Sequence, residues 1–173
     1  MSFMMNGGYR KNVGLVLIKN KLIFAGFRSD LPENAKTGWQ MPQGGIEEGE
    51  DVLQAGYREL YEETGVKKDK VKVIARMPNT IKYDFPNDVI YRMYHESKIT
   101  NSNRIIYKGQ EQYWIVLEFF GENSDVNLKP TSEPQEFSKW GWKTADFLIK
   151  NVYEMKKTVY KQLFAWMLDE KII

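Results

Sequence analysis

Seven carboxylates lie between Glu47 and Glu63 of this chain, and Arg58 is the only base among them. Residues 44–66 therefore carry a formal charge of −6, and since the whole chain carries +2, the other residues carry +8. Carboxylates this close repel one another unless cations compensate them. Mg²⁺ is typically held in proteins by a few carboxylates together with substrate phosphates. The charge asymmetry predicts a cation-dependent site for a phosphate-bearing ligand.

Three of these carboxylates have helical spacing. If a helix begins near Asp51 and ends at Gly65, Glu59, Glu62 and Glu63 occupy positions i, i+3 and i+4, and they share one face within about 100°. The opposite face is apolar and is predicted to pack against a core; it carries Leu53, Tyr57, Leu60 and Tyr61. We expect one face to be buried and the other to hold cations.

The composition argues against several other kinds of catalysis. The chain has no cysteine and a single histidine, His95, which we interpret as a surface residue. A Ser-His or Cys-His nucleophilic system is therefore implausible. The sequence also lacks the motifs GxxxxGK[ST], GxGxxG after a strand, HExxH and GxSxG. Metal-assisted chemistry is what remains.

The acidic segment resembles the signature of the Nudix hydrolases, G-x5-E-x7-R-E-U-x-E-E-x-G-U, in which U is aliphatic. All nine specified positions match: Gly44, Glu50, Arg58, Glu59, Leu60, Glu62, Glu63, Gly65 and Val66. The alternative interpretation is a solvated acidic helix, which is what a run of charges usually forms. That alternative predicts neither the glycines nor the spacing. The resemblance implies hydrolysis of phosphoanhydride bonds with Mg²⁺, or Mn²⁺ as a substitute. It assigns Glu59, Glu62 and Glu63 as metal ligands and catalytic residues, together with Arg58.

Motifs outside that segment resemble a narrower group, the bacterial RNA pyrophosphohydrolases and the related dinucleoside polyphosphate hydrolases. They are Gly8-Tyr9-Arg10, Asn12-Val13-Gly14, Trp39-Gln40-Met41-Pro42-Gln43-Gly44-Gly45, Tyr83 before Pro86, Gly109-Gln110-Glu111-Gln112-Tyr113-Trp114, Glu136-Phe137 and Trp140-Gly141-Trp142. This resemblance implies Glu136 as a further metal ligand. It also implies substrate contacts, with Tyr83 stacking on a base, at Arg10, Arg28, Gly44, Gly45, Tyr83, Gln110 and Gln112.

The chain departs from the narrower group in its loops, which often set substrate preference. The loop 29–38 and the segment 86–109 are longer than in that group. Lys11 stands where the group often has Pro, and Gln135 is inserted before Glu136. The implied reaction is water attack on the 5′-triphosphate of RNA, leaving a 5′-monophosphate end, as in mRNA decay. Diadenosine polyphosphate hydrolysis is an alternative. A non-catalytic nucleotide- or RNA-binding domain is a further one, although the intact glutamate set argues against it.

The elements that must position these residues can also be predicted. Residues 13–18 and 22–27 indicate a β-hairpin, and further strands are expected over 71–75, 80–85, 113–120 and 137–142. Residues 29–38 and 122–135 are expected to be loops, and 86–109 give no clear pattern. From Thr144 to Met167 the apolar spacing predicts one long amphipathic helix. Together these elements predict an α/β (α+β) fold, an α/β/α sandwich with a mixed central sheet, as the resemblance also implies.

The length of 173 residues and the 42% hydrophobic content predict a single domain over 9–173, preceded by a flexible arm over 1–8. No apolar run approaches the ~18 residues that span a bilayer, and the first residues lack a secretory pattern. Neither export nor membrane insertion is expected. The absence of cysteine fits a reducing compartment, so we expect a cytoplasmic monomer that acts on RNA or nucleoside polyphosphates.

Overall fold

A computed structural model of the chain describes residues 7–100 and 104–173. The strands are β1 (Tyr9–Lys19), β2 (Leu22–Arg28), β3 (Trp39–Gln40), β4 (Gln43–Gly45), β5 (Val71–Arg76), β6 (Ile81–Asp84), β7 (Gly109–Phe119) and β8 (Phe137–Lys143). The helices are α1 (Val52–Thr64), α2 (Asn87–Ile99), α3 (Ala145–Asn151) and α4 (Lys157–Asp169). Residues 1–6 of the predicted N-terminal arm lie outside the described residues. The Gly7 N–H donates to the carbonyl of Ile106, and the Gly8 carbonyl accepts from Lys108.

The predicted hairpin forms, and its turn explains why the chain reverses at residues 20 and 21. Asn20 and Lys21 both have positive φ, 52° and 62°, which suits the tight two-residue turn that matches strand twist. In the described chain β1 and β2 pair only next to this turn, through Ile18 with Ile23 and Lys19 with Leu22. Beyond these pairs the two strands diverge.

This divergence splits the mixed sheet into two halves with a wedge between them. On one side β1 continues parallel to β7 and antiparallel to β4. On the other side β2 continues between β3 and β8. A wedge that opens away from the hairpin turn brings side chains from both halves toward one another.

Helices cover both faces of the sheet, as the sandwich prediction requires. One core cluster joins Leu15, Leu17 and Ile115 of the sheet to Ala55 and Leu60 of α1. A second cluster, on the other face, joins sheet residues to the last helix and includes Val16, Trp114, Tyr160, Leu163 and Met167. No helix in residues 7–100 and 104–173 is both long and apolar enough to cross a membrane.

The buried face of α1 differs in part from the predicted one. Leu60 is fully buried, but Tyr61 is 38% exposed, so its assignment to the core is wrong. Gly56 lies on the sheet instead, where a methyl group would come within 3.2 Å of Leu15. This close approach moves the buried face toward Glu63, which is 8% exposed. The carboxylate face is therefore partly a buried face.

In the second half of the chain one prediction is wrong, and a helix forms in a segment for which no structure was predicted. The single helix after Thr144 is broken: α3 ends at Asn151, whose side-chain amide donates to the carbonyl of Phe147 at 2.8 Å. Val152 is extended (φ −83°, ψ 158°), and a 3₁₀ turn over Glu154–Lys156 precedes α4. The unassigned segment 86–109 contains α2, which begins directly after Pro86.

Candidate active site

Both ends of α1 are fixed by local interactions. The Asp51 carboxylate accepts from the backbone N–H groups of Leu53 and Gln54 at 2.8 Å, and the Gln54 side chain accepts from the Asp51 N–H. This reciprocal arrangement is a capping box. At the other end Gly65 has φ 71°, the left-handed conformation that glycine adopts without strain. The two caps therefore fix where the helix that carries the glutamates begins and ends.

The guanidinium of Arg58 ties α1 to its surroundings. It donates through Nε and Nη2 to both carboxylate oxygens of Glu50, at 2.8 and 2.9 Å, and through Nη2 to the carbonyl of Gly45 at 2.8 Å. Nη1 donates to Glu59 at 2.7 Å and to Glu62 at 3.2 Å. These contacts, the bidentate pair with Glu50 first, raise the pKa of Arg58. Arg58 therefore orients carboxylates and stays charged.

Glu59 and Glu63 point toward β4 and are largely withdrawn from water. The Glu59 carboxylate lies against Gly44, where a methyl group would come within 1.9 Å of its carbon. Glu63 accepts from the Gln43 N–H at 3.1 Å. Burial raises the pKa of both groups; at Glu63 the charges of Glu136 and Glu59 raise it further, whereas Arg58 offsets part of the effect at Glu59. The carboxylates thus repel one another at close range in a site of low polarity.

The opposite wall of the wedge brings a fourth carboxylate and a buried lysine. Glu136, just before β8, accepts from Gln40 Nε2 at 3.4 Å. Gln40 Oε1 accepts from Lys156 Nζ at 3.0 Å, and Lys156 is only 3% exposed. Burial, and next the charge of Arg28, lower the pKa of Lys156 to about 8, while Glu63 and Glu136 act in the opposite direction. Arg28 itself is held by Asp30 through two hydrogen bonds.

The floor of the wedge is a chain of amides. Gln112 is fully buried, and its Nε2 donates to Asn12 at 2.9 Å and to Gln43 at 3.0 Å. Gln110 accepts from the hydroxyl of Tyr83 at 2.7 Å. Burial raises the pKa of Tyr83, so this hydroxyl stays protonated and donates. The amides hold Gln43, whose N–H in turn holds Glu63.

Arg10 lies in β1, opposite Gln110 of β7. Its guanidinium rests on Gly45, where a methyl group would come within 2.2 Å of Nη2. The charge of Arg10 also acts on Glu59 and lowers its pKa slightly. Gly44 and Gly45 thus leave room for one carboxylate and one guanidinium. A larger residue at either position would displace the group that rests there.

The donor set fits a hard divalent cation, although the carboxylates do not converge on a single point. Among the described residues no three acidic side chains are close enough together to hold one ion, because Arg58 holds Glu59 and Glu62 and Glu63 turns to Gln43. The ligands would be carboxylate oxygens, the type that Mg²⁺ prefers. Burial raises the pKa of Glu63, the charges of Glu136 and Glu59 raise it further, and this repulsion would fall on binding a cation. The residues present therefore suit such an ion.

The family model of the NUDIX domain matches residues 8–167. The chain belongs to the Nudix family. As a Nudix hydrolase it acts on phosphoanhydride bonds, and members of the family generally depend on divalent metal ions. The match extends from the start of β1 almost to the end of α4, so it includes both walls of the wedge.

Curated Nudix relatives cover most of the chain. A protein of Dinoroseobacter shibae named RNA pyrophosphohydrolase is 42% identical over 90% of this chain and 89% of its own length. The chloroplastic Nudix hydrolase 26 of Arabidopsis thaliana is also 42% identical, over 91% of this chain and 68% of its own length. A solved structure of a C. elegans Ap4A hydrolase has a TM-score of 0.59 at 20% identity and covers 92% of this chain and 98% of that one. This last likeness shows the fold.

The structure of this Nudix chain brings the predicted site residues together around the wedge to different degrees. Glu59, Glu63, Gly44, Gly45 and Arg10 lie at β4 and the adjoining end of β1. Glu136 and Arg28 belong to the opposite wall, and Arg58 joins Glu62 to Glu59. Gln112 is fully buried, and Tyr83 is half-buried with its ring edge-on to Phe85. Both are thus placed to support the site rather than to face solvent.

Sequence analysis missed Lys156 and Gln40. Lys156 reaches the site because the helix breaks before it, and one continuous helix would have given it no distinctive position. Gln40 lies within the quoted Trp39–Gly45 motif but was not singled out. One signal for Lys156 was present: it lies at an apolar position of the predicted core helix, four residues after Val152 and three before Val159. Such a position is unusual because lysine is rarely buried without a partner.

Proposed function

We propose that this protein is a Mg²⁺-dependent hydrolase that converts 5′-triphosphate ends of RNA to 5′-monophosphate ends. One observation carries the proposal: the glutamates Glu59, Glu62, Glu63 and Glu136 lie close enough to interact electrostatically with their neighbours in this group and with the cations Arg10, Arg28 and Lys156. Carboxylates suit the metal and cations suit the polyphosphate. Both kinds of group are needed for cleavage of a phosphoanhydride bond.

Glu59, Glu63 and Glu136 would hold the metal, and Glu62 would join them when Arg58 releases it. When bound, a divalent cation neutralises charge on the phosphate oxygens and lowers the pKa of the attacking water. Arg58 orients Glu59 and closes the junction between α1 and β4 through the carbonyl of Gly45. The backbone of Gln43 fixes Glu63, and the amides behind it hold Gln43 in place.

In the proposed reaction a water molecule attacks one of the two phosphorus atoms that share the α,β-bridging oxygen. The bond from that phosphorus to the bridging oxygen breaks, and pyrophosphate is released from the RNA 5′-monophosphate. A glutamate of the site accepts the proton that the water loses. Arg10, resting on Gly45, and Lys156, held by Gln40, would bind oxygens of the phosphate chain from opposite walls. Fixed positive groups aimed at developing negative charge stabilise the transition state.

The RNA substrate is supported by the curated relatives named RNA pyrophosphohydrolase and by the charge distribution. Outside residues 44–66 the chain carries +8. A long RNA gains backbone contacts with such a surface, whereas a dinucleoside polyphosphate offers few. Each phosphate contact on a single strand steepens the dependence of log K on log salt by about 0.7. We therefore expect the advantage of RNA to depend on ionic strength.

Product analysis tests the proposal. The purified protein is incubated with Mg²⁺ and either triphosphorylated RNA several nucleotides long or diadenosine tetraphosphate, and kcat/KM is measured at low and high salt. We expect a higher kcat/KM for the RNA at low salt, release of pyrophosphate, and a narrower gap at high salt. Equal efficiency on both substrates with identical salt slopes would favour a diadenosine polyphosphate hydrolase. No turnover of either would favour a binding domain.

A further inference from the structure

A cleft of about 350 Å³ lies beside the proposed active site, between the beginning of β1 and α2. It is lined by Arg10, Phe85, Met93, Arg104, Ile105, Tyr107 and Gln110. The segment that contributes Arg104, Ile105 and Tyr107 belongs to 86–109, where the chain departs from the sequence pattern of the narrower group.

The chemistry of the lining suits a nucleotide. Two guanidinium groups provide charge for a phosphate, and two aromatic rings, one methionine and one isoleucine provide surface for a base. No acidic side chain is among the described lining residues. Within residues 7–100 and 104–173, neither Arg10 nor Arg104 forms a salt bridge, whereas Arg28 and Arg92 pair with Asp30 and Asp88. Aromatic rings beside free cations are the features that bind single-stranded nucleic acid without strict sequence preference.

The cleft shares residues with the wedge. Arg10 rests on Gly45 and acts on Glu59, so one guanidinium lies at the junction of the two cavities. Gln110 lines the cleft and also accepts from Tyr83 in the polar floor. A phosphate chain bound near Glu59 and Arg10 would therefore end beside the cleft.

We propose that this cleft binds a nucleotide of the RNA chain that follows the cleaved triphosphate, with Arg104 on its phosphodiester and Phe85 and Tyr107 against its base. The assignment rests on the proposed function because it names a second part of the same substrate. A nucleoside triphosphate alone has no such nucleotide. The cleft therefore distinguishes an RNA end from a free nucleotide.

Equilibrium binding of a 5′-monophosphorylated RNA of about ten nucleotides tests the assignment without turnover, since this RNA carries the product end. Arg104→Ala removes the cation, and Arg76→Ala removes an exposed arginine from the edge strand β5 as a matched control. We expect Arg104→Ala to raise Kd for the RNA about tenfold, since charged hydrogen bonds are lost. It should also reduce the log-log salt slope by about 0.7. The affinity for a mononucleotide should stay the same.

Further variants separate binding from folding. Arg104→Lys keeps the charge and should recover most of the affinity, and Tyr107→Leu should weaken RNA binding while the melting temperature stays near that of the wild type. Equal Kd values and salt slopes for Arg104→Ala and Arg76→Ala would overturn the assignment. If RNA binding depends on Arg104 but triphosphorylated RNA is left intact, the proposed function fails and the cleft assignment stands. If pyrophosphate is released and Arg104 makes no difference to Kd, the cleft assignment fails alone.

Discussion

Individual charges in this site are held by specific partners rather than by water. Arg58 reaches three carboxylates and one carbonyl, and Lys156 is buried against a single amide. Buried groups of this kind have large effects when one partner is removed, because the other is left without compensation. Substitutions of single residues can therefore separate effects on catalysis from effects on the stability of the fold.

Glu59→Gln tests the catalytic role at this scale. The amide keeps the size and helix propensity of the side chain but removes its charge, so we expect loss of turnover with an unchanged fold. The measurement is kcat together with a thermal melt. Glu48→Gln, at an exposed position in the same acidic segment, is the control and should keep its activity. If Glu59→Gln keeps more than about a tenth of wild-type kcat, a loss of less than ~1.4 kcal/mol, the proposed role is wrong.

The buried amine of Lys156 predicts how the stability of the fold depends on pH. Its pKa is about 8 in the folded protein against an ordinary value of 10.5, so between these values the unfolded chain binds more protons. Stability should therefore rise as pH increases from about 8 toward 10.5, and Lys156→Met should remove this part of the rise. Urea unfolding at several pH values measures it as the difference between the variant and the wild type. Lys161→Met, at an exposed position in α4, is the control. Parallel stability curves for Lys156→Met and the wild type would contradict the assignment.

At the scale of elements, the packing of α1 against β4 decides where the carboxylates point. Gly44 is in contact with the Glu59 carboxylate, and the Arg58 guanidinium bridges to Gly45. The two glycines are therefore required by close approach of side chains and not by a special backbone conformation. The flexible end of Glu59 can move away from an added methyl group at small cost to the fold.

Gly44→Ala should consequently reduce activity far more than stability. We expect kcat to fall by at least tenfold, because Glu59 must rotate away from its position, while the free energy of unfolding changes by about 1 kcal/mol or less. Steady-state kinetics and denaturant unfolding give the two quantities. Gly141→Ala in β8 is the matched control, because its methyl group would meet Lys143 at an ordinary 3.4 Å. Full activity in Gly44→Ala would show that the position of Glu59 is not important for turnover.

Elements whose ends are set by local chemistry could be predicted from the sequence, and those set by distant contacts could not. The capped helix α1, the hairpin and the buried strand β7 all follow from their own residues. The break after Asn151 is hidden because Val152 remains fully buried although it is not helical, so the apolar spacing continues across it. Helix α2 was missed because Ile90 is its only buried residue, and its other apolar residues are half-buried or exposed.

The same reasoning applies to the site. The types and spacing of Glu59, Glu62 and Glu63 were sufficient to predict a carboxylate cluster. Their burial and their contacts with Arg58 depend on β4, which approaches only in the folded chain. Lys156 and Gln40 meet across 116 positions of the sequence. No local pattern records such a pair.

In the whole molecule, the concentrated acidic charge of residues 44–66 forms a site for a cation. Binding of a cation there should stabilise the folded protein. Burial raises the pKa of Glu63, and the charges of Glu136 and Glu59 raise it further, so the glutamates repel one another. A ligand that binds only the folded state adds RT ln(1 + [L]/Kd) to stability, about 2.7 kcal/mol at 100 times Kd. For a protein of this size each kcal/mol corresponds to about 2–4 °C.

Millimolar Mg²⁺ or Mn²⁺ should therefore raise the melting temperature by about 5–10 °C near saturation. Thermal melts with and without each ion, at constant ionic strength, measure the shift. The double variant Glu59→Gln with Glu63→Gln should lose most of it. A melting temperature that is indifferent to both ions, in the presence and absence of a nucleotide, would argue against the metal site.

The marginal attachment of α2 has a consequence for evolution. The helix contributes one buried side chain, Ile90, yet its Met93 lines both the Arg104 cleft and the neighbouring cleft beside Arg28. Mutations in this segment can therefore accumulate with little effect on folding and none on the carboxylates of α1. The proposed substrate contacts at the two clefts can therefore change through substitutions in α2 while the carboxylates of α1 keep their positions.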